Sequence, residues 1–477
     1  MSAQVPQVPD FTRNIFDNLS PLDYRYYDEQ FAEYFSARAD IKYQLMVEAV
    51  LAQTLYYHGL CSESVAQEVR TACEQVTVEE VAQEEARIHH NVRALVNCIQ
   101  GRVSDEAKPI VHMTATSFDI IDTAKAAQFR DGTYQLLIPV LSELETVLIE
   151  IAEREADTPQ IGRTHGQHAV PITFGFAIAQ YVSRLGGCIK RIDDLAGELV
   201  GKFAGATGSY NALSLLVPDP ENFELILMNR LGLVPAEIST QIVPPEPMTR
   251  LLGEIVIAAG VIANLATNMR SLQQTEIAEV GEAFEADQVG SSTMPHKLNP
   301  ESFENVCGMW KIILARIITV FLDLISEHQR DLTNSAPSRT YGEIIGYLIS
   351  AIKRTTRVMK KLVVNRANMQ RNLKMQGDLP LAEPWYILLA RRGHPNAHEK
   401  VRQLTLEVRR TGRPLWNLAY QDSELVPYLD QMTDEEKATL QHIEQYTGIA
   451  AMKARQVAED WRGELEIMKV VPNKKEE

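Results

Sequence analysis

Apolar side chains recur at the spacing of an α-helix along most of this chain. In the stretch IPVLSELETVLIEIAERE, residues Leu141, Leu144, Leu148 and Ile151 fall on one stripe, which predicts an amphipathic helix. The stretches ADIKYQLMVEAVLAQTLYYHG and SVAQEVRTACEQV show similar patterns, and the turn residues of YHGLCSES separate them. No stretch shows convincing strand alternation. The pattern therefore predicts an all-α fold.

The longest apolar stretches lie in the middle of the chain. The stretch PMTRLLGEIVIAAGVIANLATNMRSLQQTEIAEVGEAF, residues 247–284, predicts one helix of some ten turns. The stretches 303–329 and 341–364 predict two more long helices. All three are apolar over more than one face, so each must pack on several sides. In a protein without a membrane span, such helices form a bundle or a subunit interface.

The helical patterns divide the chain into three blocks. Residues 1–112 predict an N-terminal helical domain, and residues 113–365 predict a central long-helix bundle. Residues 366–477 predict a C-terminal helical domain, because shorter amphipathic helices alternate there with turns such as RRGHP and RRTGRP.

Composition excludes several classes of partner. The 477 residues carry a formal charge of −16, so binding of nucleic acid or an anionic membrane is not expected. A small anionic substrate remains compatible with a local cluster of Arg and Lys. The most apolar run, 255–266, is shorter than the roughly 20 residues of a membrane span. Five scattered cysteines and an N-terminus without an apolar core favour a soluble cytoplasmic protein.

Polar, glycine-containing segments interrupt the helical patterns, and such loops are where chemistry usually resides. The segment GSSTMPHKLNP, residues 290–300, carries Lys297 and Asn299 beside Ser291. The segment IGRTHGQHAVPITFG places His165 between two glycines, and histidine is the usual proton carrier near neutral pH. The alternative for His165 is a locally bonded turn histidine.

Two further segments suggest binding of anions. MTATSFDIIDTA offers Thr116 and Ser117 at a helix start, which suits a carboxylate, although an ordinary N-cap explains them equally well. HQRDLTNSAPSRTYG carries Arg330 and Arg339 with Ser335 between them, which suits a phosphate, the alternative being a solvated loop. Histidine pairs such as His165 and His168 lack further ligands at metal-binding spacing, so no metal site is expected.

The segment 290–300 has the form GSSxMPxKxNP, and in it the chain resembles the fumarase/aspartase superfamily, which carries out elimination reactions that release fumarate. The resemblance spans nearly the whole chain. It implies an all-α, three-domain fumarase/aspartase-like fold with a central long-helix bundle. It also implies a homotetramer whose sites are each built from three subunits.

Within that superfamily the chain most resembles the adenylosuccinate lyase family. LSPLDYRYYD is similar to the family's SPLDGRY segment, whose Arg-Tyr pair grips the nucleotide phosphate and corresponds to Arg25 and Tyr26. TATSFDIIDTA, GRTHGQHAVP, GSYNA, STQ and QRDLTNSAPSR are similar to five other segments of that family. Two positions depart from the pattern. Asn91 follows His90 where the family has aspartate, and Tyr24 replaces the glycine of the phosphate segment.

The resemblance implies that the chain releases fumarate from adenylosuccinate, giving AMP, and from the succinylated imidazole carboxamide nucleotide of purine biosynthesis. Ser291 would be the base that removes a carbon-bound proton, and His165 would be the acid that protonates the leaving nitrogen. No cofactor is implied. Residues implied to bind substrate are Arg25, Tyr26, His90, Asn91, Thr116, Ser117, Gln241, Lys297, Asn299, Arg330, Ser335 and Arg339.

Two other functions remain open. One is a superfamily lyase or cycloisomerase acting on a non-nucleotide succinyl or carboxymuconate-type substrate, and Arg25, Arg330 and Arg339 discriminate against it because they suit a nucleotide phosphate. The other is an inactive structural or regulatory relative. The intact set of Ser291, Lys297, Asn299 and His165 argues against this second alternative.

Overall fold

The computed structural model describes residues 18–284 and 290–470, apart from the side chains of 469 and 470. From residue 18 onward, the first part of the described chain contains five α-helices: α1 (Glu29–Phe35), α2 (Ala37–Tyr57), α3 (Glu63–Gln75), α4 (Val78–Ile88) and α5 (Asn91–Gln100). Polar side chains set their starts. Thr77, for example, begins α4 with a capping box, in which the Glu80 N–H donates to Thr77 Oγ1 and the Thr77 N–H donates to Glu80 Oε2.

The central part contains the longest helices. They are α6 (Ser117–Gly132), which continues through a π-helical turn (Thr133–Leu137) into α7 (Ile138–Arg154), then α8 (Phe174–Gly197), α9 (Pro220–Arg230), α10 (Glu246–Leu272), α11 (Glu301–Leu322) and α12 (Tyr341–Lys360). Helices α7, α8, α10, α11 and α12 pack on one another as a bundle. The predicted stripe of Leu141, Leu144, Leu148 and Ile151 is buried in it, which confirms that prediction.

The last part contains shorter helices and one long one. They are α13 (Arg366–Leu373), α14 (Ala382–Arg391), α15 (Ala397–Thr411), α16 (Leu415–Gln421), α17 (Val426–Leu429), α18 (Asp434–Gln441) and α19 (Ala450–Val470). An apolar cluster around Trp385 and Leu415 forms a second core among these residues. Helix α19 returns to pack on α7 and α8, where Gly186 leaves space for the Trp461 ring. The division into three domains stays a prediction.

Strands are few. Although no stretch of the sequence shows convincing strand alternation, β1 (Pro159–Thr164) and β2 (Gln167–Thr173) make an antiparallel hairpin within the helical fold. Two-residue strands pair β3 (Val200–Gly201) with β4 (Val234–Pro235) and β5 (Val280–Gly281) with β6 (Val363–Val364). The other elements with assigned bounds are helices, so the predicted all-α fold class is confirmed.

The predicted helix over 247–284 is too long at its C-terminal end. Helix α10 stops at Leu272, and the chain then reverses, so that the Glu279 N–H donates to the Leu272 carbonyl. Ala278 adopts a left-handed conformation with φ 48°, and the following residues pair with β6. Tertiary pairing has therefore overridden the helical pattern beyond Leu272.

Helices α10 and α11 are each long and apolar enough to cross a bilayer, judged by length and composition alone. Of the apolar 18-residue segment of α10, 61% is buried against the rest of the chain, as expected for a bundle helix. In the corresponding segment of α11, only 28% is buried. The apolar side chains that α11 exposes lie along one stripe, and Arg316 on the same helix forms an ion pair with Glu343. This one-sided pattern is typical of a helix that packs against another protein surface.

Candidate functional site

His165 occupies the tip of the β1–β2 hairpin. Thr164 pairs with Gln167, so the connection has only two residues, His165 and Gly166, with φ values of 53° and 71°. Positive φ at both positions is typical of a type I′ turn, whose twist matches that of the two strands in a tight hairpin. A left-handed histidine is unusual, and such strain concentrates at functional sites. The imidazole is exposed and has no hydrogen-bond partner among the described residues.

The segment 290–300 is folded back on itself. Asn299 Nδ2 donates to the Gly290 carbonyl at 2.8 Å, and a Cβ on Gly290 would lie 2.3 Å from the Lys297 carbonyl oxygen, so only glycine fits there. Ser291 Oγ accepts hydrogen bonds from the backbone N–H groups of Thr293 at 3.4 Å and Met294 at 3.1 Å. Two N–H donors on one oxygen favour negative charge on that oxygen.

The far end of this segment is also fixed. Glu282, which is buried, accepts hydrogen bonds from the N–H groups of Ser302 and Phe303 and so caps α11, whose own N-cap position is Pro300. The exposed Lys297 ammonium has no ion-pair partner among the described residues and is thus available to an anion. The Asn299 amide, in contrast, is engaged within the segment.

The predicted carboxylate pocket lies at the start of α6. Thr116 is the N-cap residue, and its N–H donates to Asp119 Oδ2 at 2.8 Å, so the N-cap interpretation of Thr116 is correct. Asp119 Oδ1 accepts hydrogen bonds from the Lys202 ammonium and from the N–H of Ala204 at 3.1 Å. Since Asp119 and Lys202 are fully buried, this ion pair holds the helix start, including Ser117, in a fixed place.

His112 lies just before this helix start and was not singled out from the sequence. Its φ is 62°, and its Nδ1 lies 2.6 Å from Oε1 of the buried Glu48. Burial opposes the charge on the imidazole, but the hydrogen bond and the charge of Glu48 outweigh it and raise the pKa of His112. Its sequence signal was weak, because the partner Glu48 is far away along the chain.

Gln241 and Arg330 are brought together against the same helix. The Gln241 N–H donates to the Gln329 carbonyl at 3.2 Å, and Arg330 Nη1 lies 3.5 Å from Gln241 Oε1. The Arg330 guanidinium lies over the ring of Phe118, the residue after Ser117. Asp122, one turn further along α6, accepts a hydrogen bond from the Val243 N–H, and burial raises the pKa of Asp122 to about 6.

Ser335 and Arg339 form a neighbouring group. Arg339 Nη1 donates to the Ser335 carbonyl at 3.0 Å and lies 3.3 Å from Ser335 Oγ. Lys125, which the sequence did not single out, donates from Nζ to the Ser338 carbonyl at 3.0 Å. Burial lowers the pKa of Lys125. Three cationic side chains, those of Arg330, Arg339 and Lys125, therefore belong to this end of the bundle.

The remaining predicted residues lie apart from that group. Tyr26 Oη accepts a hydrogen bond from Asn305 Nδ2 at 3.2 Å, which places Tyr26 beside the first turns of α11, whereas Arg25 is exposed. His90 is the N-cap of α5 and accepts a hydrogen bond from the Arg93 N–H through Nδ1. Asn91 is the first residue of that helix.

The predicted residues thus occupy two ends of the bundle. Gln241 precedes α10, Arg339 precedes α12 and Arg330 follows α11. Ser291 and Lys297 lie at the opposite end, directly before α11, which has 22 residues and is about 33 Å long. One chain therefore does not bring Arg330 and Ser291 within reach of one small ligand.

A cavity of about 820 Å³ lies elsewhere, between α2 and α3. It is lined mainly by apolar side chains such as Leu45 and Val50, and none of the predicted site residues lines it. Two of its charged residues, Arg38 and Arg70, already form ion pairs. Among the described residues, no three His, Cys, Asp or Glu side chains are arranged to hold a metal ion.

Comparisons with known proteins agree over most of the chain. Residues 23–314 match a family model described as Lyase, and residues 326–447 match one described as Adenylosuccinate lyase C-terminal. The adenylosuccinate lyase of Pyrococcus abyssi is 36% identical and covers 92% of this chain and 96% of its own length. That of Methanothermobacter thermautotrophicus is 34% identical and covers 93% of this chain and 98% of its own length.

More distant relatives have other printed activities. The N-acetyl-S-(2-succino)cysteine lyase of Enterococcus italicus is 27% identical and covers 89% of this chain and 92% of its own length. Among solved structures, 3-carboxy-cis,cis-muconate lactonizing enzyme from Pseudomonas putida superposes with a TM-score of 0.80 at 27% identity, over 93% of this chain and 99% of that one. A fumarate lyase from Mesorhizobium, with a TM-score of 0.79 at 22% identity over 91% of this chain and 98% of that one, shares the fold.

Proposed function

The chain belongs to the adenylosuccinate lyase family and is a lyase, and on that premise we propose that it cleaves the C–N bond of adenylosuccinate to give AMP and fumarate. The succinylated imidazole carboxamide nucleotide of purine biosynthesis is a second proposed substrate. The observation that carries the proposal is that the similarity to adenylosuccinate lyases extends over nearly the full length of the chain.

The proposed chemistry begins with removal of a proton from the carbon next to a substrate carboxylate. Ser291 is the proposed base, and the two backbone N–H groups on its Oγ support that role because they stabilise an alkoxide. The neighbouring carboxylate takes up the charge as a dianionic aci-form. Lys297 is the proposed cation for this intermediate, and its lack of an internal partner in the described chain supports that assignment.

His165 is the proposed acid for the leaving nitrogen. Histidine is the usual proton carrier near neutral pH, and the exposed ring at the hairpin tip is accessible to a ligand. Thr116, Ser117 and Asn299 are proposed to donate hydrogen bonds to the substrate carboxylates, Asn299 after release from the Gly290 carbonyl. Gln241, His90 and Asn91 are proposed contacts to the rest of the nucleotide.

The proposed phosphate site combines Arg330, Ser335 and Arg339 of one chain with Arg25 and Tyr26 of a second copy, because Tyr26 lies beside the first turns of α11, away from Arg330. The clustering of Arg330, Arg339 and Lys125 near one end of the bundle supports a dianionic ligand there. This charge favours a phosphorylated substrate over the non-nucleotide compounds of the alternative function. No cofactor is proposed, because the elimination involves no redox step.

We further propose that the enzyme is a cytoplasmic homotetramer with shared sites. Arg330 and Ser291 lie beyond opposite ends of α11, so a second copy of the chain must bring them together. The exposed apolar stripe of α11 supports this assembly, since it needs a partner surface. Its members on α11 are Leu314, Ile318, Phe321 and Leu322, and the exposed Ile325 follows just after the helix.

A substrate panel tests the function. Fumarate release is measured for adenylosuccinate, for its dephosphorylated nucleoside and for N-acetyl-S-(2-succino)cysteine. We expect efficient release from adenylosuccinate only. Equal release from the nucleoside would show that no phosphate site contributes to binding. Preferential release from the thioether would show that the substrate is a non-nucleotide compound.

A further inference from the structure

Glu279 lies immediately before β5 and is completely buried. Its carboxylate accepts four hydrogen bonds from three side chains. Arg163 donates from Nη1 at 3.1 Å and from Nη2 at 2.5 Å, Gln160 donates from Nε2 at 2.7 Å, and Asn372 donates from Nδ2 at 2.9 Å. These four bonds use the full acceptor capacity of the carboxylate, so they hold the Glu279 side chain and its three partners in fixed positions.

Two of these donors belong to the hairpin that carries His165. In a regular strand, Gln160 and Arg163 would point to opposite faces, because side chains alternate with a period of two. A bulge between Ile161 and Arg163 shifts the register and lets both side chains face Glu279. A Cβ at Gly162 would lie 2.6 Å from the Val170 carbonyl oxygen, so the bulge requires glycine.

The position of His165 depends on this anchor. Its imidazole has no partner among the described residues, and a Cβ at Gly166 would meet nothing within 4 Å, so the turn itself is not packed. Arg163, two residues before the turn, forms a bidentate ion pair with Glu279. The pair is largely shielded from water, since the two side chains are 18% and 0% exposed. The tip of the hairpin therefore takes its orientation from its base.

We propose that Glu279 is a positioning residue for His165: through Arg163 and Gln160 it sets where the imidazole stands relative to the leaving nitrogen. This inference rests on the proposed function, in which His165 is the acid. Glu279 itself touches no substrate in this account. Removing its carboxylate lets the hairpin tip move, and a misplaced acid lowers the rate of proton transfer more than it weakens substrate binding.

The test uses Glu279→Gln in the full-length protein, with adenylosuccinate as substrate. We expect kcat to fall at least tenfold while KM changes less than threefold. Arg163→Met is expected to give the same split, and the double variant is expected to lose no more than either single variant, because both disrupt one interaction. Glu279→Asp, which keeps the charge, is expected to recover part of kcat.

A matched control separates positioning from general loss of stability. Glu436→Gln breaks the ion pair with Arg392, which is also largely buried but lies among the C-terminal helices. It is expected to lower Tm and leave kcat unchanged. If Glu279→Gln does not fold, Gln160→Leu replaces it, with an expected loss in kcat of at least threefold at unchanged KM.

Two failures are distinguishable. A wild-type protein that releases no fumarate would overturn the proposed function, whatever the variants do. A wild-type protein that is active, together with a folded Glu279→Gln or Gln160→Leu variant whose kcat stays within twofold, would overturn the positioning role alone. Additive losses in the double variant would overturn it as well.

Discussion

The guanidinium carbon of Arg330 lies 3.2 Å from the centroid of the Phe118 ring. This stacking ties the segment after α11 to the start of α6, where Ser117 lies next to Phe118. Arg330 Nε donates to the Asp331 carbonyl at 2.9 Å and Nη1 lies 3.5 Å from Gln241 Oε1, which leaves Nη2 without a partner among the described residues and open to an anion. The contact therefore joins the proposed phosphate and carboxylate contacts into one surface.

Arg330→Ala is expected to raise KM for adenylosuccinate by about 10- to 100-fold, since a lost charged hydrogen bond costs about 1.5–3 kcal/mol. Phe118→Leu, which removes only the stacking, is expected to raise KM about threefold, because cation–π contacts contribute about 0.5–1 kcal/mol at exposed sites. Steady-state kinetics measure both effects. Arg230→Ala is the control, because Arg230 lies over the Tyr57 ring away from the site and should leave KM unchanged.

Mixing two impaired variants, assayed at a substrate concentration well below the raised KM of Arg330→Ala, tests whether sites are shared. Arg330→Ala and Ser291→Ala each remove a residue from opposite ends of α11. If one site takes these residues from different subunits, mixed oligomers contain some sites with both residues intact. Fumarate release is therefore expected to recover after the variants are mixed, unfolded and refolded together. Activity that stays at the level of the separate variants would mean that one chain supplies both residues.

Ile318 is 59% exposed in the middle of the apolar stripe on α11. Ile318→Glu is expected to split the oligomer, because a charge buried at an apolar interface loses its hydration. Light scattering should show smaller species, and circular dichroism should show retained helix. Leu406→Glu is the control, since Leu406 is also exposed, at 52%, but lies on α15. If Ile318→Glu has the same oligomeric state as wild type, the apolar stripe is not part of the subunit interface.

Glu145 is fully buried in α7, and neither of its carboxylate oxygens has a partner among the described residues. Burial raises the pKa of Glu145 well above its ordinary value of 4.5. The folded state therefore keeps this proton where the unfolded chain loses it. The stability that this group contributes is complete below pH 4.5 and is lost as pH rises towards the folded-state pKa.

Glu145→Met is therefore expected to stabilise the protein. At low pH the gain is about 1–3 kcal/mol, because an unsatisfied buried polar group is removed. At pH 8 the gain is larger, because the variant also avoids the cost of keeping or losing the Glu145 proton. Urea unfolding at pH 5 and pH 8 measures the difference. Glu145→Gln should remove the pH dependence, and so gain stability over wild type at pH 8, but without the gain that Glu145→Met shows at pH 5. A Met variant that is less stable than wild type at pH 8 would contradict this description of Glu145.

The sequence predicted the parts of the fold that depend on local periodicity. Leu141 and Leu148 fall on a stripe that is buried because one helix face meets the bundle. The hairpin around His165 was not predicted, since its strands contain polar residues where apolar alternation would be the signal. Its tertiary anchor could not be predicted either, because Glu279 lies more than a hundred residues away along the chain and inside an apparent helix.

For the candidate site, the sequence predicted which residues take part more readily than how the fold arranges them in space. The motif around Ser291 indicated the chemistry, but its two backbone donors depend on the fold of the segment. The neighbourhood of Lys125 and Arg339 had no sequence signal, because the two residues come from α6 and from the segment before α12.

Ser291 and His165 are proposed to transfer the protons in a C–N elimination that releases fumarate. The decisive experiment quantifies AMP and fumarate from adenylosuccinate with wild type, Ser291→Ala and His165→Ala at equal oligomer concentration. We expect equimolar products with wild type and a loss of rate of about 10²–10⁴-fold in each intact, oligomeric variant. No fumarate from wild type at high enzyme concentration, or a Ser291→Ala rate within a few-fold of wild type, would contradict it.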